Sequence, residues 1–209
     1  MREVKKRITI IFFISVLIGI WASLISAVSI ADQIETPTRF RLHLVEDPGR
    51  ILPQYQSRTT SQYLVGNLFD SYFRLDEKAE LQNSMMSKCS WKTNTRLLCT
   101  PAKRNWANGN PITADDHYKH LKRQLNRETL SSAKEIFSNL LNYKDYLNNK
   151  LPFEKVGLKL IDGKIEFRIR KADRDFLYSL THPVLSPIPE TKLKDFDIAK
   201  DYATGPYRA

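Results

Sequence analysis

The chain contains little cysteine and little glycine for its length. Its 209 residues include only 2 Cys and 7 Gly. So few cysteines exclude a disulfide-dense miniprotein, and so few glycines exclude a collagen-like chain. The 42% of hydrophobic and 11% of aromatic residues make an ordinary globular composition, which excludes wholesale disorder, a coiled coil and a polytopic membrane protein.

Charge is absent from residues 8–31. This apolar stretch follows the basic residues at positions 2–7 and ends with small residues three and one positions before Asp32. A basic start, an apolar middle and small residues at the cleavage site are typical of a secretory signal. We predict that residues 1–31 form a signal peptide. The stretch is also long enough to span a bilayer, so an uncleaved N-terminal membrane anchor is the alternative.

Acidic residues are in the minority, with 23 Asp and Glu against 33 Lys and Arg and a net charge of +10. Residues 1–31 carry four basic residues and one acidic residue, so the chain from Asp32 onward keeps a net charge of +7. The basic residues are scattered among acids. Because the chain is predicted to be exported, we expect surface charge and no nucleic-acid partner.

The short motifs of common catalytic sites are missing. The sequence has no Cys-x-x-Cys pair, no Gly-x-Ser-x-Gly turn and no glycine-rich phosphate loop. Two histidines, His117 and His120, are candidate metal ligands because Asp115 and Asp116 are close to them in the sequence. They fall on the polar side of a predicted helix. We therefore expect solvated histidines, and we predict a protein that is not an enzyme and holds no metal or cofactor.

The two cysteines flank a predicted β-hairpin with a polar tip. If Asn94 is central, Cys89 faces Cys99 and Trp91 faces Leu97 on the same side of the ladder. In an oxidising compartment this arrangement favours a disulfide. Two reduced thiols in the core are the alternative.

Periodicity predicts helices in the middle of the chain. Thr113 is a good N-cap, with Asp116 as an acidic third residue, for a helix that runs to about Asn126. A second helix is predicted to begin at residue 131 or 132 with one apolar stripe. The stripe consists of Ile136, Leu140, Tyr143 and Leu147.

Alternation predicts strands on either side of these helices. Residues 39–45 alternate between polar and apolar side chains, which indicates a half-buried strand. Residues 156–160 and 165–169 alternate around Asp162-Gly163, a pair suited to a tight primed turn. Asp173 is expected to cap a short helix. The chain is therefore predicted to mix strands and helices.

Five short blocks, taken in order, carry a resemblance to a known family. The blocks are Leu68–Asp76, the hairpin segments Ser90–Lys92 and Thr95–Leu98, Asn105–Asp116, Asp175–Pro189 and Thr204–Tyr207. Together they resemble the bacterial extracellular solute-binding proteins of the oligopeptide and dipeptide class, family 5. Two departures stand out, since Ala203 replaces the first Gly of the family's GTGPY motif and Ile51 to Pro53 replaces Leu-Asp-Pro. Gly109 and Gly205 remain the positions best able to adopt a positive φ.

The resemblance implies a mixed α+β chain of the α/β class. Residues 32–209 would form the first lobe, with its packed subdomain, of a class II periplasmic-binding-protein-like fold. Family members are more than twice as long, so the fold would be incomplete and the chain truncated, without the second lobe. Trp106 and Phe176 lie in structural blocks of the family and follow an apolar period, so we expect both in the core.

The resemblance also implies a function. Members of the family are the substrate-binding components of peptide ABC transporters, which capture oligopeptides or similar small solutes in the periplasm and deliver them to a permease in the inner membrane. We expect a monomer. The alternative is a membrane-anchored envelope protein that has lost transport and keeps the subdomain for interaction or structure.

The family's ligand-facing segment can be placed on this chain. It begins four residues beyond the proline that matches Pro53, which gives Ser57, Arg58 and Thr59 as ligand-binding residues. The surrounding residues 54–62 are polar and lack Gly and Pro, so their backbone suits pairing with an extended peptide. Arg58 is expected to attract a peptide carboxylate. A solvated loop is the alternative.

Overall fold

The computed structural model describes residues 41–47, 51–55, 59–189 and 202–207. Two compact units divide the chain, residues 1–43 and 44–209. The predicted signal segment 1–31 lies outside the described residues. No helix in the described part of the chain is both long and apolar enough to cross a membrane.

Two antiparallel sheets organise the second unit. The smaller sheet pairs β1 (Phe73–Leu75) with β2 (Leu81–Asn83). The larger sheet has the order β3-β4-β6-β5, where the strands are β3 (Met86–Thr93), β4 (Arg96–Pro101), β5 (Leu158–Ile161) and β6 (Lys164–Arg168).

Five short helices occur in the described part of the second unit. They are α1 (Thr59–Leu68), α2 (Ala114–Gln124), α3 (Ala133–Ile136), α4 (Tyr143–Leu147) and α5 (Phe176–Ser179), with 3₁₀ turns at Pro53–Tyr55, Phe153–Lys155 and Pro183–Leu185. Helix α2 packs against the larger sheet. The predicted mixture of strands and helices is confirmed.

The register of the first hairpin is the predicted one. Cys89 pairs with Cys99 and Trp91 pairs with Leu97 across β3 and β4. The structure joins the two cysteines in a disulfide, with their Cα atoms 4.1 Å apart. This short separation is typical of a non-hydrogen-bonded antiparallel pair, in which the side chains come closest.

The second hairpin, between β5 and β6, also turns as predicted. Asp162 has φ 48° and Gly163 has φ 70°. Positive φ at both central residues defines a type I′ turn, whose twist matches that of the flanking strands.

Helix α2 begins with the predicted capping box. The Asp116 amide donates to Thr113 Oγ1 at 3.1 Å, and the Thr113 amide donates to Asp116 Oδ2 at 2.8 Å. These two bonds satisfy backbone donors that have no partner within the helix. The helix ends at Gln124, two residues earlier than predicted.

Three predictions of regular structure are wrong. The N-cap of α5 is Asp175 and not Asp173. The helix expected from residue 131 onward forms two short helices, because α3 ends at Ile136 and α4 begins at Tyr143, after Asn142 with φ 60°. Between the two helices the Leu141 amide donates to the Arg168 carbonyl at 2.8 Å, so the chain leaves the helical path to bond with the end of β6. Residues 41–45 form no strand, and Val45 is 93% exposed.

The main core lies against one face of the larger sheet. Trp106 and Phe176 are buried in it, as predicted. Phe137 stacks on Phe167 with ring centroids 5.9 Å apart, and Phe176 packs edge-on against both rings. These aromatic contacts hold the segment after β6 and the segment after α3 to the sheet.

Gly157 allows three stretches of backbone to meet at the edge of this core. Its amide donates to the Leu141 carbonyl at 2.9 Å, and its carbonyl accepts from the Arg168 amide at 2.7 Å. A Cβ at this position would lie 2.1 Å from the Arg168 oxygen and 3.0 Å from the Leu141 nitrogen. No side chain fits without moving backbone.

We expect Gly157→Ala to destabilise the protein by about 3 kcal/mol, because the added methyl group displaces two hydrogen-bonded backbone segments. The matched control is Gly66→Ala in α1, where a Cβ meets nothing within 4 Å. This control should stabilise the helix by about 0.5–1 kcal/mol. Urea unfolding measures both changes, and equal stabilities for the two variants would contradict the packing argument.

The disulfide closes a short loop, since its cysteines are 10 residues apart. We expect reduction to cost at most about 3 kcal/mol of stability. Mass spectrometry after alkylation tests the bond directly. Protein purified without reductant should take up no alkylating reagent at Cys89 or Cys99 and should take up two equivalents after reduction. Two labelled thiols before reduction would show that the bond is absent.

Candidate functional site

The predicted ligand-facing segment lies at the start of α1. Ser57 and Arg58 are outside the described residues, and Thr59 is the first residue of the helix with an exposed side chain. Pro53–Tyr55 forms a 3₁₀ turn. Because the backbone is helical from Thr59 onward, an extended pairing surface cannot continue past this residue. The first amides of a helix have no intrahelical acceptor, so this end of α1 favours negative charge.

A small apolar cluster anchors this segment on both sides. Leu52 precedes it, and Val65, Leu68 and Phe69 follow it, and all four are buried together with Ile188. Ile188 lies just after the 3₁₀ turn Pro183–Leu185, so the chain that follows α5 contributes one side of this cluster. The cluster fixes where α1 lies, and with it the start of the helix.

Asp70, directly after α1, is the centre of a buried polar junction. Its carboxylate accepts from Arg104 Nη2 at 2.6 Å, and its amide donates to Thr204 Oγ1 at 2.9 Å. Arg104 Nη2 also donates to the Thr204 carbonyl at 3.0 Å. Arg74 lies 3.8 Å from the other carboxylate oxygen. Two guanidinium groups thus face one carboxylate.

The Thr204-Gly205 segment closes the same junction from the other side. The amides of Thr204 and Gly205 both donate to the Leu68 carbonyl, at 3.1 and 2.9 Å. A Cβ on Gly205 would lie 2.6 Å from the Asn67 carbonyl oxygen. Gly205 does not have a positive φ, whereas Gly109 has φ 88°. The glycine is therefore needed for close backbone approach and not for a left-handed conformation.

Sequence reasoning did not identify Asp70 and Arg104 as partners. Asp70 lies inside the first block of the resemblance and Arg104 stands one residue before the third, while Thr204 opens the last. One hint of this pair was present in the sequence, because an acidic residue lies in one block and a basic residue lies beside another. Their pairing depends on the fold, since Asp70 and Thr204 are 134 residues apart.

The expectation that His117 and His120 are solvated is wrong. Both side chains are buried, at 0% and 1% exposure, on the face of α2 that carries Leu121. The His117 ring lies 5.6 Å from the Tyr72 ring, and His120 Nδ1 is 3.1 Å from Arg123 Nη2. The described residues contain no group of three side chains of metal-binding type. The two histidines are core residues of the helix.

Burial also sets the charge of these histidines. Loss of hydration lowers the pKa of His117 from 6.5 to about 4, against a smaller opposing effect of Asp116. Burial, Arg123 and His117 lower the pKa of His120 as well. Both imidazoles are therefore neutral at pH 7.

Known proteins share part of the sequence and the fold of this chain. No family model matches the chain. The periplasmic murein peptide-binding protein MppA of Escherichia coli K12 is 23% identical over 162 residues, which is 71% of this chain and 30% of that protein. The solved structure of the E. coli murein tripeptide binding protein MppA matches with a TM-score of 0.70 and 18% identity, over 79% of this chain and 34% of that one.

A periplasmic oligopeptide-binding protein of Borrelia burgdorferi also matches, with a TM-score of 0.70, 20% identity and coverage of 81% of this chain and 36% of that one. The chain thus spans about a third of the length of these proteins. The resemblance to oligopeptide-binding proteins is confirmed. The described residues have the mixed α/β fold of part of these substrate-binding proteins.

We expect acid to destabilise the protein through His117. A folded-state pKa of about 4 against 6.5 means that the unfolded chain binds the proton more tightly, so stability falls as the pH drops below 6.5. His117 alone should cost about 2 kcal/mol between pH 7 and pH 5.

His117→Leu should remove that part of the pH dependence, as measured by urea unfolding at the two pH values. The control is His43→Gln, because His43 is exposed. An unchanged pH dependence in His117→Leu would contradict the assignment.

Proposed function

We propose that this chain supplies the first lobe of a peptide-binding component of an ABC importer. In this role it captures oligopeptides or similar small solutes in the periplasm after export by residues 1–31. The observation that carries the proposal is the shared fold with proteins that bear the names murein peptide-binding and oligopeptide-binding. The proposed partner is a permease in the inner membrane. The chain is proposed to act as a monomer and to bind its ligand without transforming it.

The construction of the site supports a binding role. Leu52 before α1 and Leu68 at its end are buried in one apolar cluster, and the junction at Asp70 holds the end of the helix. Support of this kind lowers the entropy lost when a ligand binds to the helix. Arg58 directly precedes the N-terminus of α1. An arginine and a helix N-terminus each suit a peptide carboxylate, because each carries positive charge and donates hydrogen bonds.

The ligand is proposed to lie along residues 57–59 as an extended chain. Thr59 begins a helix, so backbone pairing is confined to residues before it. The chain is proposed to supply one wall of such a site. In two-lobed binding proteins most of the ligand surface is buried by closure of the second wall.

A membrane-anchored envelope protein that has lost transport is the competing proposal. It requires that residues 8–31 stay attached to the exported protein. The mass of the protein recovered from the envelope separates the two proposals. A chain that begins at Asp32 supports the soluble binding component, and a chain that keeps residues 1–31 supports the anchor.

We expect residues 1–209 to bind peptides with a dissociation constant no lower than about 0.1 mM. A site with one wall buries much less of the peptide surface than a site that closes between two lobes. Calorimetry with a mixed tripeptide pool measures this affinity. A micromolar dissociation constant would show that the chain alone is a complete binder.

The role of Arg58 is tested in the same titration, with peptides that carry a free or an amidated C-terminus. Arg58→Gln should weaken the free peptides by about fivefold, the effect of losing an exposed ion pair, and leave the amidated peptides unchanged. Arg174→Gln removes the same charge elsewhere on the surface and is the control. Equal losses for both kinds of peptide would contradict carboxylate recognition.

A further inference from the structure

An arginine-lined cavity opens where β4 begins and β6 ends. Its volume is about 500 Å³. The lining consists of Thr93, Thr95, Arg96, Leu141, Arg168, Ile169 and Arg170. Three of these seven described residues are arginines and none is acidic. None of them belongs to the predicted ligand-facing segment, so the cavity is a separate feature of the chain.

A buried carboxylate holds two of the three arginines. Glu166, in the middle of β6, is fully buried, and its two oxygens accept separately from Arg96 Nε and from Arg168 Nε, the latter at 2.6 Å. Burial raises the pKa of the Glu166 carboxyl, and the hydrogen bonds and charges of the two arginines lower it by more, so the group is ionised. Arg96 and Arg168 are direct partners across β4 and β6, which brings their side chains to the same face of the sheet.

The remaining donors of these arginines are unused. Each guanidinium gives only its Nε hydrogen to Glu166, and the terminal amino groups have no hydrogen-bond partner among the described residues. Arg170 makes no side-chain hydrogen bond or ion pair within that part of the chain, while its amide is fixed by the Asn139 carbonyl at 2.8 Å. One buried negative charge and three guanidinium groups leave two positive charges at the cavity.

The sheet around the cavity is basic as well. Its four described strands carry one acidic residue, Glu166, against six basic residues. The basic residues are Lys88, Lys92, Arg96, Lys159, Lys164 and Arg168. The field of this surface attracts anions toward the cavity.

We propose that the cavity binds a phosphate group, held by Arg96, Arg168 and Arg170. Two uncompensated positive charges match a phosphate better than a singly charged carboxylate, and guanidinium forks suit its several oxygens. Thr93 and Thr95 also line the cavity, and the Thr95 amide donates to Thr93 Oγ1 at 3.3 Å. A volume of about 500 Å³ exceeds that of one phosphate, so there is room for an organic group attached to it. The source is either a free phosphate compound or the headgroup of an anionic phospholipid.

Titration of the full chain in a neutral detergent tests the proposal. The probes are inorganic phosphate and a short-chain phosphatidylglycerol below its micelle concentration, at constant ionic strength, and the readout is the NMR signal of the arginine Nε–H groups. Arg170→Gln should weaken binding by about fivefold or more, because it removes one guanidinium contact without touching Glu166. Arg174→Gln carries the same charge change, does not line the cavity, and should alter the affinity less than about twofold.

Binding of either probe supports the site, and the two affinities together identify the source of the phosphate group. Tighter binding of inorganic phosphate assigns a free phosphate compound, and tighter binding of phosphatidylglycerol assigns a lipid headgroup. Equal losses in Arg170→Gln and Arg174→Gln, or no shift of the arginine signals with either probe, would overturn the proposal.

Glu166→Gln separates positioning from simple charge attraction. The change adds one net positive charge at the cavity and removes the carboxylate that orients two guanidinium groups. If Glu166 is a positioning residue, the affinity for phosphate should fall by about threefold or more despite the added charge, while urea unfolding reports whether the variant is folded. A folded Glu166→Gln variant that binds phosphate more tightly would contradict the positioning role.

Discussion

The Leu68 carbonyl and the Asp70 amide tie the Thr204-Gly205 segment to the end of α1. Leu68 accepts the amides of Thr204 and Gly205, and Asp70 bonds Thr204 and Arg104. These contacts are buried or partly buried, so their electrostatic part is less weakened by solvent than that of a surface pair. This junction holds the end of α1, and the apolar cluster of Leu52, Val65, Leu68, Phe69 and Ile188 packs along the helix.

A second constraint operates at the far end of the larger sheet. At Gly157 the backbones of residues 141, 157 and 168 bond to one another, and no side chain can be accommodated there. The same crossing sets the path of the chain through Arg168 to Arg170. Steric constraints at Gly157 thus fix the backbone beside the arginine-lined cavity. Glu166 orients the side chains of Arg96 and Arg168 through charged hydrogen bonds.

The interior of the second unit is more polar than its sequence suggests. His117, His120 and Gln124 of α2 are buried, together with Tyr72. Several of their polar atoms have no hydrogen-bond partner among the described residues. An unpaired buried polar group costs about 1–3 kcal/mol, so this region is where acid and substitutions act most strongly. The large apolar core offsets that cost.

Local chemistry alone determined several elements of this protein. The Asp162-Gly163 turn, the capping box at Thr113 and the facing cysteines depend on neighbours in sequence, and each was predicted correctly. The fold was predicted from the resemblance that the five blocks carry, and the similarity to solved structures confirms it. Tertiary structure decided the rest, because long-range partners are invisible to periodicity. Long-range contacts interrupt the predicted helix after Ile136, where the Leu141 amide bonds to Arg168. They also bury His117 and His120. The fold brings the Asp70 amide to Thr204 and brings Glu166 to two arginines.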